Sequence, residues 1–304
     1  MAKKIALIDG DVLCYLSFEP RWLNNVTPQG VAVTQLDPLS GRPMRIEKTY
    51  TKEEDAAYLK ETWQRFQDKV LDIQEKLFCD EAMVAVQGPN NYRAKMYPEY
   101  KMSSGRTNKP NEYTKFLPIL RKLAVQSGLA VPSTGCEADD LLRWWALEAA
   151  AVGQEVIIAS NDKDLLCIPG KHYNIRKDEY ITVTQEDADR LYFEQLIKGD
   201  PVDNIPGLPG VGPVKATKAL ANCKTVKEYQ ETVVGMYIST YGDDWRNWLL
   251  SNGKMIHIQR YENDWFDLHD WPVAQELDHD LRVQTVPAKA NNGVQQKSNT
   301  IDFM

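Results

Sequence analysis

The sequence predicts an α/β protein whose central, mostly parallel β-sheet is flanked by helices. Two short apolar runs, IALI at 5–8 and VIIA at 156–159, have the length and character of buried parallel strands. A cluster of acidic residues follows each run. In open α/β sheets the functional crevice lies outside the carboxyl ends of such strands, so these acids fall where a site is expected.

Strands and helices are predicted to alternate from the start of the chain. Residues 5–8 form a first strand that ends at Asp9. Residues 24–50 contain Gly, Pro and alternating apolar positions, which indicates a hairpin or an extended excursion. A long amphipathic helix follows from Thr51, with Glu54 completing a capping box. Its predicted buried face consists of Leu59, Trp63, Phe66, Val70, Ile73 and Leu77.

The rest of the chain is predicted to contain an exposed loop or arch and then further strands and helices. Residues 88–112 are polar, basic and rich in tyrosine, which indicates an exposed loop or arch. The other predicted elements are a strand at 83–86, a helix near 112–127, a helix containing EADD, a strand at 155–159, a small hairpin at 172–183 and, from about 185, helices joined by glycine turns. We therefore expect three regions: a core at 1–185 with the arch at about 88–115, a helical region at 186–286, and a disordered tail at 287–304.

Composition narrows the class of protein. The 304 residues are 43% hydrophobic and 26% charged, which is ordinary for a soluble globular protein. No apolar run reaches the length of a membrane span, and the N-terminus runs from MAKK straight into a strand, so we expect neither a membrane segment nor a secretory signal. Five scattered cysteines without a CxxC pair predict a reducing cytosol, without disulfides or zinc.

Charge is distributed unevenly along the chain. The net charge of −7 makes the whole protein a poor electrostatic attractor for nucleic acid. Segment 88–115, however, holds six basic residues against two acids, whereas segment 260–282 holds seven acids and two arginines. This asymmetry is more informative than the net charge.

Acidic residues form four separated clusters, in the segments IDGD, CEADD, SNDKD and KGDPVDN. Their members are Asp9 and Asp11; Glu137, Asp139 and Asp140; Asp162 and Asp164; and Asp200 and Asp203. So many carboxylates cannot share one pocket at neutral pH without cations. Mg²⁺ and Mn²⁺ prefer oxygen ligands, so the clusters predict a metal-dependent enzyme.

Each cluster also has an ordinary structural explanation. IDGD can be a turn that ends a strand, SNDKD a helix cap, KGDPVDN a capped loop, and EADD an acidic first turn favoured by the helix dipole. At about 100° per residue, the three acids of EADD span roughly 160° of their helix, opposite its apolar residues. The helix can therefore aim all three at one cleft, and the four clusters in this order favour a site.

A glycine-rich segment, IPGLPGVGPVKATK, occupies residues 205–218. Gly207, Gly210 and Gly212 allow positive φ and close backbone approach, and Pro213 suits the first turn of a helix. The free N–H groups at that helix start, with the nearby Lys215 and Lys218, offer a phosphate site. This is a helix–hairpin–helix signature, which grips the backbone of nucleic acids. The alternative is a tight turn between packed helices.

Together these segments resemble the 5′-nuclease superfamily of structure-specific DNA nucleases, which includes flap endonucleases, phage 5′→3′ exonucleases and the 5′-nuclease domain of bacterial DNA polymerase I. The stretches that carry the resemblance are IDGD, NNYRAKMYPEYKMSSGR, EADD, SNDKD and LIKGDPVDNIPGLPGVGPVKA, in the order of the family. The compact length and the DGD variant look most like a phage exonuclease. The resemblance implies a PIN-like nuclease core and a helix–hairpin–helix subdomain.

The resemblance also implies roles for particular residues. Two Mg²⁺ or Mn²⁺ ions are expected, with a K⁺ ion at the hairpin. The first metal would be served by Asp9, Glu137 and Asp139 and the second by Asp162, Asp164 and Asp200, with Asp140 and Asp203 close by. Arg93 would match the basic residue at the base of the arch. Lys101 and Arg106 resemble the YKxxR element of the family, which is two residues longer here.

One position departs from the family. Gln87 stands where the family usually has an aspartate, so the first metal is expected to be held more weakly or through water. This departure motivates one rival function, a DNA-structure binder whose metal site has decayed. A second rival is a ribonuclease of the related fold, against which the GLPGVG hairpin argues.

The resemblance implies partners and a location as well. DNA with 5′ ends, flaps or RNA primers would be the substrate, bound by a monomer. The protein would be cytoplasmic, in the host cytoplasm if a phage encodes it. The terminal IDFM is either a disordered end or a short peptide that docks a replication protein.

Overall fold

The structure is a computed structural model that describes residues 2–19, 50–102 and 114–276. Its strands are β1 (Lys4–Asp9), β2 (Glu81–Val86), β3 (Val131–Pro132), β4 (Glu155–Ala159), β5 (Gly170–Asn174), β6 (Glu179–Val183), β7 (Gly199–Asp200) and β8 (Ile205–Pro206). Its α-helices are α1 (Gly10–Ser17), α2 (Lys52–Lys76), α3 (Tyr92–Met96), α4 (Leu117–Gln126), α5 (Ala138–Ala151), α6 (Gln185–Lys198), α7 (Pro213–Leu220), α8 (Val226–Tyr241) and α9 (Trp245–Ile256). Short 3₁₀ turns occupy Thr114–Phe116, Asp164–Cys167, Gly242–Asp244 and Leu268–Asp270, and a helical segment covers 272–276.

Six strands form one sheet in the order β3-β2-β1-β4-β5-β6. Every neighbouring pair is parallel except the β5–β6 hairpin, which is antiparallel. The prediction of a mostly parallel sheet flanked by helices is therefore confirmed. Because β1 lies beside β4 with Ile8 opposite Ala159, the residues that follow the two strands meet at the same edge of the sheet.

Alternating side chains of β1 build the core on both faces of the sheet. Ala6 and Ile8 pack in a cluster with α1, α2 and α4, whereas Ile5 and Leu7 pack in a second cluster with α5. The strand is buried almost throughout, as expected for a parallel strand covered on both sides. Gly10 lets α1 lie close to β2, because a Cβ there would meet the carbonyl oxygen of Ala85 at 2.6 Å. Because Asp9 directly precedes Gly10, this close approach of α1 to β2 keeps Asp9 at the edge of the sheet.

Helix α2 begins as predicted but is rotated slightly from the predicted face. Thr51 and Glu54 form the capping box. The predicted Phe66, Val70, Ile73 and Leu77 are buried, whereas Leu59 and Trp63 are only half-buried. Tyr58 and Thr62 are buried instead, because the ring of Tyr58 stacks on Phe18 and packs against Phe116. Aromatic contacts with other parts of the chain therefore determine which face of α2 is buried in its first turns.

Helices α6 to α9 share a third hydrophobic core, which runs from Phe193 to Ala274 and is centred on Leu196, Val233 and Tyr237. The division into regions 1–185, 186–286 and 287–304 stays a prediction. Residues 24–49, most of the predicted excursion, and the predicted tail lie outside the described residues. Among the residues that the structure describes, no helix is long and apolar enough to cross a membrane.

Candidate active site

The carboxylate of Asp9 is fixed at the carboxyl end of β1. As N-cap of α1, its Oδ1 accepts hydrogen bonds from the backbone N–H of Asp11 at 3.1 Å and of Val12 at 3.0 Å. Its Oδ2 accepts a hydrogen bond from Ser160 Oγ at 2.6 Å, across the β1–β4 edge. Burial raises the pKa of this carboxyl to about 6, with the charges of Asp11 and Asp162 adding to the rise. Asp9 is therefore positioned among other acids.

Asp139 and Asp162 lie near Asp9. Asp139 is half-buried on the first turn of α5 and has no hydrogen-bond partner among the described residues. Burial raises its pKa well above the usual value, and the charges of Asp9, Asp162 and Glu137 raise it further. Asp162 is exposed, and its Oδ1 accepts a hydrogen bond from the backbone N–H of Asp164 at 2.9 Å. The mutual repulsion shows that these acids share one region.

A second pair of acids, Asp164 and Asp200, also lies near Asp162. Burial raises the pKa of Asp164 to about 7, with the charges of Asp162 and Asp200 and a hydrogen bond to Asp200 adding to the rise. Oδ1 of Asp164 accepts a hydrogen bond from Gln195 Nε2 at 2.7 Å. A narrow cleft of about 30 Å³ collects the predicted acids Glu137, Asp139, Asp164, Asp200 and Asp203 along its walls.

Glu137 differs from these acids because protein donors surround it. Its Oε1 accepts hydrogen bonds from Lys101 Nζ at 2.7 Å and Asn91 Nδ2 at 2.9 Å, and its Oε2 accepts one from Tyr100 OH at 2.9 Å. Arg93 Nη1 lies 3.3 Å from Oε2. Burial by itself would raise the pKa of Glu137, but the charges of Arg93 and Lys101 outweigh it and lower the pKa.

Arg93 and Asp140 form a buried bidentate ion pair, with Nη1–Oδ2 at 2.8 Å and Nη2–Oδ1 at 3.0 Å. Asp140 Oδ2 also accepts from Glu137 N and its Oδ1 from Gln259 N, both at 2.8 Å, so its four acceptor positions are filled. The remaining guanidinium donors bind the carbonyls of Met255 and His257. In this arrangement Asp140 has no lone pair left for a metal, and the guanidinium of Arg93 is buried. The roles predicted for Asp140 and Arg93 at the site stay predictions.

Lys101 lies at the rim of the cleft, with 41% of its side chain exposed. Its Nζ lies 2.7 Å from Glu137 and 3.7 Å from Asp203 Oδ2, and Tyr100 OH lies 3.3 Å from the same Asp203 oxygen. The lysine is therefore available to a ligand entering from solvent. The third predicted cation, Arg106, lies outside the described residues.

The eight acids with predicted roles at the metals fall into two sets, according to whether they form an ion pair. This difference indicates whether each carboxylate could bind a metal ion. Glu137, Asp140 and Asp203 each contact a Lys or Arg side chain. In the described ranges, no ion pair reaches Asp9, Asp139, Asp162, Asp164 or Asp200. These five crowded carboxylates offer only oxygen and are not engaged in ion pairs within the described ranges, which suits Mg²⁺ or Mn²⁺. As the side chains stand, the described part of the chain holds no group of three metal-ligating residues in binding geometry, so binding requires them to draw together.

Gln87 and Asp11 lie beside the cluster but face elsewhere. The Nε2 of Gln87 donates to the carbonyls of Gly88 at 3.0 Å and Cys136 at 3.3 Å. Asp11 forms an ion pair with Arg121 at 2.7 Å and accepts a hydrogen bond from the backbone N–H of Gln87. That Gln87 makes the first metal bind more weakly, or through water, stays a prediction.

Comparison with known proteins identifies the family of this chain. A family model described as "5′-3′ exonuclease, N-terminal resolvase-like domain" matches residues 4–195. The chain belongs to this family. It is 31% identical to DNA polymerase I of Rhizobium leguminosarum over 149 residues, which are 46% of this chain and 14% of the polymerase. It is also 31% identical over 147 residues to the flap endonuclease Xni of Shewanella amazonensis, covering 45% of this chain and 56% of Xni.

The fold of this exonuclease-family chain has relatives among solved structures. It superposes on the phage T5 5′-exonuclease with bound zinc ions with a TM-score of 0.51 and 12% identity, over 84% of this chain and all of that one. A second T5 structure, co-crystallised with metal ions, gives a TM-score of 0.50 and 11% identity. At this identity the likeness supports the shared fold. The chain spans about half of Xni and a seventh of the polymerase, so activity and substrate are argued below as proposals.

Two of the three glycines in the hairpin of this family member have the predicted local structure. Gly212 does not, because its φ is −93° and, among the described residues, a Cβ added there would meet no atom within 4 Å. Gly210 has a φ of +71°, and Gly207 packs against the backbone at Lys198 and Gly199, where a Cβ would not fit. Gly212 is the N-cap of α7, and Pro213 is its first residue.

The two lysines of the hairpin were predicted to contact DNA. Both Lys215 and Lys218 are exposed, and Lys215 Nζ donates to the carbonyl of Gly210 at 2.7 Å. Their contact with DNA stays a prediction.

Three residues that support the site were missed in the sequence. Ser160 binds Asp9, Asn91 binds Glu137, and Gln195 binds Asp164. Ser160 carried a usable signal, because it is the first polar residue after β4. Neither Asn91 nor Gln195 had one, since both are neutral residues far in sequence from the acids they contact.

Proposed function

We propose that this chain is a structure-specific 5′-nuclease, a 5′→3′ exonuclease or flap endonuclease that hydrolyses phosphodiester bonds of DNA with two divalent ions. One observation carries the proposal. Five neighbouring carboxylates from four separate segments form no ion pair with a Lys or Arg side chain of the described chain. Burial raises the pKa values of Asp9, Asp139 and Asp164, and repulsion from neighbouring acids, which bound cations would remove, raises them further. Membership of the 5′-3′ exonuclease family supports this reading.

The two ions would be held by different acids. Asp9 and Asp139 would serve the first ion, and Asp162, Asp164 and Asp200 would serve the second. The charge of Asp162 acts on both Asp139 and Asp164, which supports a place for it near both ions. When bound, such a pair of ions supplies an activated water and neutralises charge on the scissile phosphate. Glu137 would contribute to the first site only after it releases Lys101, which now forms an ion pair with its Oε1.

Protein groups around the acids would orient the substrate. The exposed end of Lys101 would contact a phosphoryl oxygen on the solvent side of the cleft. Arg93 would instead support the site, because its guanidinium ties the acidic start of α5 to the carbonyls of Met255 and His257 at the C-terminal end of α9. The hairpin at 205–218 would hold duplex DNA through backbone N–H groups and its lysines. A role in phage replication, recombination or primer removal is consistent with this substrate.

The principal rival is a DNA-structure binder without catalysis, which Gln87 motivates. Its amide donates to two backbone carbonyls, so this position brings no negative charge to the first metal. A binder of this kind would retain DNA at its hairpin but release no product. A ribonuclease is the other rival, and parallel assays on DNA, RNA and hybrid substrates separate it from the main proposal.

The decisive test uses a 5′-end-labelled flap substrate with Mg²⁺, with Mn²⁺ and with EDTA. We expect the unmodified protein to release short products only with a metal, and Asp139→Ala and Asp162→Ala to abolish cleavage while DNA binding persists. Glu231→Ala, which removes an exposed acid on α8, is the matched control and should cleave normally. Cleavage that survives in either site variant, or in EDTA, would refute the two-metal proposal.

A further inference from the structure

A buried relay connects a cysteine to one of the acids of the cluster. The thiol of Cys167 donates to Gln195 Oε1, with Sγ and Oε1 3.0 Å apart, and Gln195 Nε2 donates to Asp164 Oδ1 at 2.7 Å. Cys167 and Gln195 are 8% and 6% exposed, so water does not compete freely for these bonds. Within the described chain, Gln195 is the only side chain that donates a hydrogen bond to Asp164.

The chemistry of the three groups fixes the direction of the relay. A carboxylate that binds a metal ion is ionised and only accepts hydrogen bonds, so in the metal-bound protein the amide nitrogen of Gln195 must face Asp164. The amide oxygen then faces Cys167, where the thiol is the donor it needs. Burial raises the pKa of this thiol, which keeps it protonated and able to donate. If the amide were flipped, its oxygen would face the carboxylate oxygen, and neither atom carries a hydrogen to donate.

The position of Gln195 gives the relay a further consequence. It lies in the last turn of α6, which passes through Gly199 directly into Asp200. The C-terminal end of α6 therefore leads into one acid of the second metal site, Asp200, and the side chain of Gln195 on the same helix holds the other, Asp164. Oδ1 of Asp164 is occupied by the amide, and Asp200 lies beside the same carboxyl group.

We propose that Cys167 and Gln195 are positioning residues for the second metal site: the thiol sets the orientation of the amide, and the amide holds Asp164 beside Asp200. This inference rests on the proposed function, because it assigns a support to one of its two metal sites. The relay predicts a specific pattern. Removing the amide donor weakens one of two metal sites, and removing the thiol donor has a smaller effect in the same direction.

The test is a titration of the full chain with Mn²⁺ by calorimetry, with thermal unfolding in EDTA as a measure of folding. Gln195→Leu keeps the volume but removes the donor and should weaken one Mn²⁺ site about 10–100-fold, as loss of a group supporting a metal ligand does. Cys167→Ala should weaken the same site by a smaller factor. Cys167→Ser keeps an O–H donor and should bind nearly as the unmodified protein does.

A matched control separates positioning from packing. Gln230 is another buried glutamine of the helical region, on α8, and contacts none of the acids. Gln230→Leu should therefore leave both Mn²⁺ affinities unchanged even if it lowers the unfolding temperature. If Gln195→Leu does not fold, the comparison of Cys167→Ala with Cys167→Ser decides the question alone.

Three outcomes are distinguishable. The relay is supported if the unmodified protein has two Mn²⁺ sites and Gln195→Leu weakens one of them. It is also supported if Cys167→Ala weakens one site more than Cys167→Ser does. Two sites with equal affinities in every folded variant overturn the relay and leave the nuclease proposal standing. No Mn²⁺ binding by the unmodified protein overturns the proposed function, and the relay with it.

Discussion

Replacing Asp140 by alanine should destabilise the fold far more than it affects metal binding. The carboxylate is fully buried and accepts four hydrogen bonds, two from Arg93 and two from backbone N–H groups. Its loss leaves a guanidinium that is 2% exposed without its bidentate partner. Removing one member of a buried ion pair costs about 3–5 kcal/mol, so we expect the free energy of unfolding to fall by that amount.

Urea unfolding at pH 7, run once with EDTA and once with Mg²⁺, measures this effect. Because Asp140 has no lone pair free for a metal, the loss should be the same in both conditions. Glu155→Ala breaks an exposed ion pair with Lys171 and should cost about 1 kcal/mol or less. The structural role would be refuted if Asp140→Ala lowered the free energy of unfolding by less than about 1 kcal/mol, or lowered it only with Mg²⁺. Asp140 would then be a metal ligand, as first predicted.

Three further predictions follow from other residues. Gln87→Asp places a carboxylate beside two backbone carbonyls, which favours a cation, so the Mg²⁺ concentration for half-maximal cleavage should fall; an unchanged value would place this residue outside the metal site. Lys101→Ala should slow cleavage about 100-fold by removing a cation from the scissile phosphate, yet tighten Mn²⁺ binding in calorimetry because a competing cation is lost. Burial would raise the pKa of Asp264, but hydrogen bonds from Arg260 and His257 outweigh it and hold the pKa well below its usual value. The resulting stabilisation is present above about pH 4 and is lost as pH falls towards the folded-state pKa. Asp264→Asn should therefore be about 2 kcal/mol less stable in urea at pH 7, with a difference that shrinks between about pH 4 and pH 2.

The sheet and the convergence of most acids could be predicted because both depend on local patterns. Apolar runs gave β1 and β4, and the parallel pairing of these strands places the residues that follow them at one edge. Asp9 and Asp162 were found in this way. The capping box at Thr51 and the first-turn position of Pro213 were likewise set by residues within one helical turn.

The roles of Arg93 and Asp140 could not be predicted, because they depend on a segment distant in sequence. The carbonyls of Met255 and His257 and the N–H of Gln259 surround this ion pair, and nothing near 93 or 140 reveals them. Helical periodicity placed Asp140 on the same face as its neighbouring acids.

Gln195 was missed for a similar reason. Its neutral amide becomes informative only once α6 is packed against the turn that carries Asp164.

The most direct test of the two-metal proposal is anomalous diffraction from crystals soaked in Mn²⁺. We expect two manganese peaks about 3.5–4 Å apart, one contacting Asp9 and Asp139 and the other contacting Asp164 and Asp200, with Asp162 between them. A single ion, or two ions too far apart to bind one phosphate, would contradict the proposed mechanism.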